Sequence, residues 1–225
     1  MALELENIGF GYASDGFKLS LPKLHIQAGE SVALIGPSGS GKTTLLNLIS
    51  GILEPEQGSI SIAGQELTSL GARQRRRQRL EGMGMIFQSF ELLDYLDVRD
   101  NILLQARLAP GVTVTADLEQ RALSIASELG LEDKWHRPIT ALSQGEQQRV
   151  AACRALLLDP SLVLADEPTG NLDPENKQAV LDHLIALCAR DGRILLVVTH
   201  DHSLLPSFDR VIEMADLLSS EGPER

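Results

Sequence analysis

The chain is poor in the features that announce several protein classes. It has two cysteines, Cys153 and Cys188, and no Cys-x-x-Cys pair, which excludes a disulfide framework and a cysteine zinc site. Both sit in apolar helical contexts, where small buried hydrophobes are expected. No run approaches the ~18 apolar residues of a membrane-spanning helix. Met1, Ala2, Leu3 and Glu4 offer neither a basic nor an apolar leader, so no signal peptide is expected. Positive charge is in deficit: 20 Lys and Arg face 31 Asp and Glu, a net charge of −11 over 225 residues. So acidic a domain is a poor nucleic-acid binder, and no nucleic-acid partner is expected. Acidity does not argue against a phosphate ligand, whose site can be locally positive. Internal repeats and low-complexity tracts are absent as well.

What is present is an ordered alternation of strand and helix patterns. Residues 3–10 and 18–26 alternate apolar and polar, as half-buried strands do. Residues 31–35 form a short apolar run before a glycine-rich turn and read as a buried strand, followed by a helix over 43–50. Residues 58–63 and 83–87 read as further strands. The pattern is helical from 98 to 131, with Leu118, Ala122, Ile125 and Leu129 on one face of an amphipathic helix over 117–129. Residues 162–165 and 194–198 are continuous apolar runs, as expected of strands covered on both faces, with a helix over 175–190 between them. The expected class is α/β: a mainly parallel sheet, an antiparallel β region at the N-terminal end and a helical insertion in the middle. The tail after Leu218 is expected to fray.

Gly36, Pro37, Ser38, Gly39, Ser40, Gly41, Lys42 and Thr43 match G-x-x-x-x-G-K-[ST] between an apolar strand and a helix. Glycines let the backbone curl so that successive N–H groups point into one concavity, and the helix N-terminus adds positive potential. Lys42 is expected on the β- and γ-phosphates, Thr43 on Mg²⁺, and Thr44 beside them. The apolar run 162–165 ends in Asp166 and Glu167, which places Asp166 at a strand end for Mg²⁺ and Glu167 where it can polarise a water. These two motifs specify a nucleoside triphosphatase. A guanine-reading Asn-Lys-x-Asp is lacking, since Asn176 and Lys177 are followed by Gln178 and Ala179.

Leu142, Ser143, Gln144, Gly145, Glu146 and Gln147 closely resemble the ABC signature, usually Leu-Ser-Gly-Gly-Gln, ahead of a helical segment. The other motifs of that family follow in its order: Tyr12 matches the aromatic that stacks on adenine, Gln88 the Q-loop glutamine, Asn171-Leu172-Asp173 the D-loop and His200 the switch histidine. The chain thus resembles an ABC-type ATPase over residues 3–214. Tyr12 can also be read as a packed edge-strand aromatic. The segments 86–93 and 165–173 resemble the subgroup of lipoprotein-release, macrolide-export and cell-division ATPases.

The resemblance implies one ABC ATPase domain over 1–225, with a P-loop core at about 1–88 and 160–218 and a helical subdomain at about 89–159 carrying the signature. It implies ATP as substrate with Mg²⁺ held by Thr43, Gln88 and Asp166, and catalysis by Glu167, His200 and Lys42. It implies a head-to-tail homodimer in which Ser143, Gln144, Gly145 and Glu146 face the other copy's ATP, with Asp173 at the interface. The expected partner is an integral membrane permease subunit, met at the cytoplasmic face of the inner membrane. The alternative is an ATPase that regulates a membrane protein without transport, as in cell-wall hydrolase control. DNA-repair relatives insert a very long coiled coil between the two halves, which is absent here, and translation relatives usually carry two such domains in one chain. The run Arg73, Arg75, Arg76, Arg77 and Arg79 reads as the solvated face of a short helix, against a competing reading as a contact for anionic lipid or an acidic partner surface. Trp135 reads as a packing residue.

Overall fold

A computed structural model describes residues 2–12, 16–172 and 174–218. Asp173 and the tail after Leu218 lie outside the described residues. In chain order the elements are β1 (Ala2–Gly11), β2 (Lys18–Gln27), β3 (Ser31–Ile35), α1 (Lys42–Ile49), β4 (Gln57–Ile62), β5 (Gln65–Glu66), α2 (Ala72–Gly82), β6 (Met83–Phe87), α3 (Val98–Leu108), α4 (Ala116–Glu128), α5 (Gln144–Leu156), β7 (Leu162–Asp166), α6 (Pro174–Arg190), β8 (Ile194–Val198), β9 (Arg210–Glu213) and α7 (Met214–Leu217). A four-stranded antiparallel sheet has the order β2-β1-β4-β5, and a five-stranded sheet the order β6-β7-β8-β3-β9. Every pairing in the second sheet is parallel. Helices α3 to α5 lie between β6 and β7 in the chain. The architecture is therefore the α/β arrangement that the patterning predicts.

The parallel sheet divides the apolar interior in two. In β7, Val163 and Ala165 join a cluster with α3, α4 and α5, while Leu162 and Leu164 join one with β1, β2, β4 and α1. In β8, Leu195 and Val197 face the first cluster, and Ile194, Leu196 and Val198 the second. This is why these runs are apolar without interruption: successive side chains serve opposite faces, and both faces are covered. Each fully buried leucine or isoleucine contributes ~1.5–3 kcal/mol, so a one-residue slip in register would be costly. Cys153 and Cys188 are buried, and burial raises both thiol pKa values, that of Cys188 to about 12. They are packing residues, and Trp135 packs partly buried on the helical cluster.

The arginine run departs from the solvated-face expectation. Arg75 and Arg79, one helical turn apart on α2, turn inward. Arg75 is 8% exposed, donates to the Leu70 carbonyl at 2.6 Å and pairs with Glu54. Arg79 donates to the Ser50 carbonyl at 3.0 Å, just past the C-terminus of α1. Cations suit a helix C-terminus, whose last carbonyls lack intrahelical partners. Arg73, Arg76 and Arg77 are exposed, and Arg77 pairs with Glu81. The run is thus half structural, bracing the helix that follows the glycine-rich loop.

Candidate active site

The glycine-rich loop joins β3, an inner strand of the parallel sheet, to α1. Gly41 is the N-cap of α1 in the left-handed region (φ 98°), and a Cβ there would lie 2.7 Å from the Phe17 ring. Only glycine meets both conditions. The Lys42 ammonium donates back to the carbonyls of Gly36 and Pro37, at 2.7 and 2.9 Å. The Ser40 hydroxyl in the same loop is buried and has no protein partner. An ammonium beside the N-terminus of α1 forms a site with capacity for an anionic oxygen ligand.

Around the loop opens a cleft of 620 Å³. Its walls bring together Tyr12, Gly36, Ser38, Gly39, Gly41, Lys42, Thr43, Thr44, Gln88, Asp166, Glu167 and His200. These come from both sheets and span most of the sequence. Thr43 Oγ1 donates to Asp166 Oδ2 at 3.1 Å, so the hydroxyl and the strand-end carboxylate face one another. Burial raises the Asp166 pKa and Glu167 adds to that, while the Thr43 hydrogen bond and Lys42 oppose it. Glu167 follows at φ 50°, a left-handed conformation that costs a side-chain-bearing residue ~1–2 kcal/mol. Its amide donates to the Val198 carbonyl at 2.9 Å, which ties the strained residue to the sheet. Its carboxylate meets His200 Nδ1 at 2.7 Å. A carboxylate and an imidazole in direct contact at the mouth of a phosphate-sized cleft can share and relay a proton.

Some contributors were not visible in the sequence. Phe17 lies against Tyr12, with ring centres 5.9 Å apart, and Phe10 meets Tyr12 edge-on at 4.9 Å. The Tyr12 hydroxyl is 3.3 Å from Thr44 Oγ1. Tyr12 is therefore both a packed aromatic and a wall of the cleft. The Gln88 carbonyl accepts from Asn171 Nδ2 at 2.8 Å, which fastens the loop after β6 to the loop after β7. The Tyr12–Thr44 and Gln88–Asn171 contacts join residues 32 and 83 apart, which no local pattern reports.

Ser143, Gln144, Gly145 and Glu146 do not line this cleft. They form the N-terminus of α5, with Ser143 as N-cap. The Glu146 amide donates to Ser143 Oγ at 3.3 Å, and Glu146 Oε2 accepts from the Ser143 amide at 2.8 Å. This is a capping box, and its Ser-x-x-Glu spacing was a readable signal. Lys134 Nζ lies 3.2 Å from Glu146 Oε1. Burial works against the Glu146 carboxylate, yet the Ser143 hydrogen bonds and Lys134 hold its pKa below the usual value. Gln144 has no left-handed strain and sits in the first turn of the helix.

The chain is similar to known proteins over most of its length. Residues 19–170 match the family model described as ABC transporter. The lipoprotein-releasing system ATP-binding protein LolD 1 of Rhodopirellula baltica is 40% identical, over 95% of this chain and 94% of the relative. LolD of Paramagnetospirillum magneticum is 41% identical, over 97% of each chain. Both names fall in the subgroup that segments 86–93 and 165–173 resemble. Among solved structures, the dimeric bacterial ABC transporter cassette MJ0796 superposes with a TM-score of 0.81 at 32% identity, covering 94% of this chain and 93% of the other. Its post-hydrolysis dimer bound to ADP and Pi gives 0.80 at 30% identity, with coverage of 94% and 93%. The family-model match together with relatives about 40% identical over nearly the full length places this chain in the ABC transporter family, as one of its ATP-binding and ATP-hydrolysing cassettes.

Proposed function

We propose that two copies of the chain close head to tail over two ATP molecules and so drive a conformational change in an integral membrane partner. The observation that carries this reading is the separation of the two phosphate-directed features. The cleft around Lys42 has the loop, the carboxylates and the histidine, while the capped N-terminus of α5 stands outside it. One chain cannot apply both to one nucleotide, and two chains can. The dimeric form of the MJ0796 cassette supports the arrangement. Among the described residues no helix is long and apolar enough to cross a membrane, so a membrane role requires a partner. The relatives' names make lipoprotein release the process to test first, and we place the chain at the cytoplasmic face of the inner membrane.

In this reading Lys42 and the loop amides hold the β- and γ-phosphates, and Tyr12 with Phe17 supplies the face for adenine. Thr43 and Asp166 offer hard oxygen donors that already face one another, and Gln88 adds an amide oxygen, a set that fits Mg²⁺. When bound, that ion would neutralise charge on the β- and γ-phosphates. Glu167 takes a proton from the attacking water as its oxygen bonds to the γ-phosphorus and the bond to the bridging oxygen breaks, giving ADP and phosphate. His200, in contact with Glu167, orients the same water. Ser143 and the amides near Gly145 close over the γ-phosphate from the other copy, and Asp173 is placed at that interface by resemblance alone. We assign residues of about 1–88 and 160–218 to the ATP-binding core and 89–159 to the helical subdomain.

Tagged chain extracted from membranes should co-purify with one integral subunit, and the complex should hydrolyse ATP. Lys42→Ala should retain the subunit and lose turnover. Recovery of the chain free of any integral protein, or normal turnover in Lys42→Ala, would refute the assignment.

A further inference from the structure

The loop after β6 contains an expensive piece of backbone. Phe90 and Glu91, consecutive and neither of them glycine, both hold positive φ, 63° and 50°. Such pairs persist only where their surroundings dictate them. Inside the loop the Phe90 amide donates to the Phe87 carbonyl at 3.0 Å and the Ser89 hydroxyl to Glu91 Oε1 at 2.6 Å, and from α5 one side chain reaches both carbonyls. Arg154 donates through one terminal nitrogen to the Phe90 carbonyl at 2.7 Å and through the other to the Glu91 carbonyl. It is 8% exposed, and burial lowers the pKa of its guanidinium, with the Glu91 carboxylate acting the other way. Arg154 belongs to α5, whose N-terminus is the signature. The reach is made possible at Gly84 in β6, where a Cβ would come within 2.5 Å of the Ala155 carbonyl, so that α5 packs directly on the strand leading to Gln88.

We infer that Arg154 is a positioning residue whose guanidinium locks the strained loop after Gln88 onto the signature helix, so that the two move as one body. Gln88 belongs to the chain's own cleft, and the signature serves the other copy's ATP. Arg154 therefore links occupation of one site to closure of the other. A planar fork suits this task, because it can serve two carbonyls at once where an ammonium holds one less firmly. The inference rests on the head-to-tail reading above.

The test uses the purified full chain, with Mg-ATP turnover and binding of a fluorescent ATP analogue measured in parallel. Arg154→Gln should lower kcat about 10-fold, the loss of charge-assisted hydrogen bonds, with analogue affinity unchanged. Arg154→Lys should lose less. Adding Glu91→Gly to Arg154→Gln should recover part of kcat, because glycine takes the left-handed conformation without a brace. A merely structural arginine would lose binding and thermal midpoint together, with no rescue by Glu91→Gly, and that result overturns the inference. So does an unchanged kcat in Arg154→Gln or, if that variant does not fold, in Arg154→Lys. Gly145→Asp is the control. Normal turnover there overturns the head-to-tail reading and the brace with it, whereas a dead Gly145→Asp beside a normal Arg154→Gln overturns the brace alone.

Discussion

The two phosphate-directed ends of the chain are finished to different degrees. The cleft around Lys42 holds an ammonium beside a helix N-terminus and a strained glutamate in contact with an exposed histidine. The N-terminus of α5 is closed on itself: Ser143 and Glu146 satisfy each other, and Lys134 pairs with the glutamate. The first end is poised for a ligand. The second holds its shape alone and must exchange the Ser143 hydroxyl's contact with Glu146 for a contact with phosphate. In the head-to-tail arrangement proposed above, one end binds in the isolated chain, and the other acts only when a second copy brings nucleotide to it.

Breaking the first end should have the largest effect. Glu167→Gln keeps the shape but removes the base, and turnover should fall by at least ~10²–10⁴. ATP still binds, so a dimer should accumulate in size-exclusion chromatography with Mg-ATP and vanish without nucleotide. The second end should break more selectively. The nearest atoms to a Cβ on Gly145 belong to Asn176 at 3.6 Å, ordinary contact distance, so Gly145→Asp should fold and bind ATP. Its carboxylate would face an incoming γ-phosphate, and turnover should be abolished in the ATPase assay.

Tyr12→Ala should raise the ATP KM about 5- to 100-fold, since stacking is worth ~1–3 kcal/mol per base. Tyr12→Phe loses only the long contact to Thr44 and should stay close to wild type in the same titration. Equal loss in both variants would place the effect in the Tyr12 hydroxyl and its contact with Thr44, and would refute stacking.

The smallest effect is expected for Glu146→Gln, because its cap and ion pair are partly solvated. Turnover should be near normal. The folded pKa of Glu146 is lowered, so its contribution to stability is present above its unfolded value and is lost as pH falls through the folded one. The gap in thermal midpoint between wild type and Glu146→Gln should therefore narrow as pH drops from about 7 to below about 4. A gap that widens would mean that the carboxylate is destabilised by folding.

Strands β3, β6 and β8 were legible to the residue, because an apolar run buried on both faces leaves no ambiguity about its ends. Strand β9 was missed: its residues alternate between half-buried and exposed, and it is only four long. Residues 36–44 of the cleft were legible because phosphate chemistry fixes their spacing along one strand-loop-helix unit, and Tyr12, Gln88 and His200 only through the order of the family's motifs. Phe17, the inward turn of Arg75 and the hold of Arg154 on Phe90 were not. Arg154 reaches a partner 64 residues away and Arg75 one 21 residues away, while Phe17 meets Tyr12 and Gly41 outside any single helix or strand, and periodicity carries no information about such pairs. Glu146 differs, since its capping spacing was in plain view.

The division of the interior by the parallel sheet has a dynamic consequence. Strands β7 and β8 are walls of both apolar clusters, whereas the helices α3 and α4 contribute to one of them and α1 to the other. The helical side can loosen without exposing the cluster beneath the glycine-rich loop, and amide hydrogen exchange should register this as two tiers. Amides of α3 and α4 should exchange through partial openings, and those of β7 and β8 only when the whole chain unfolds.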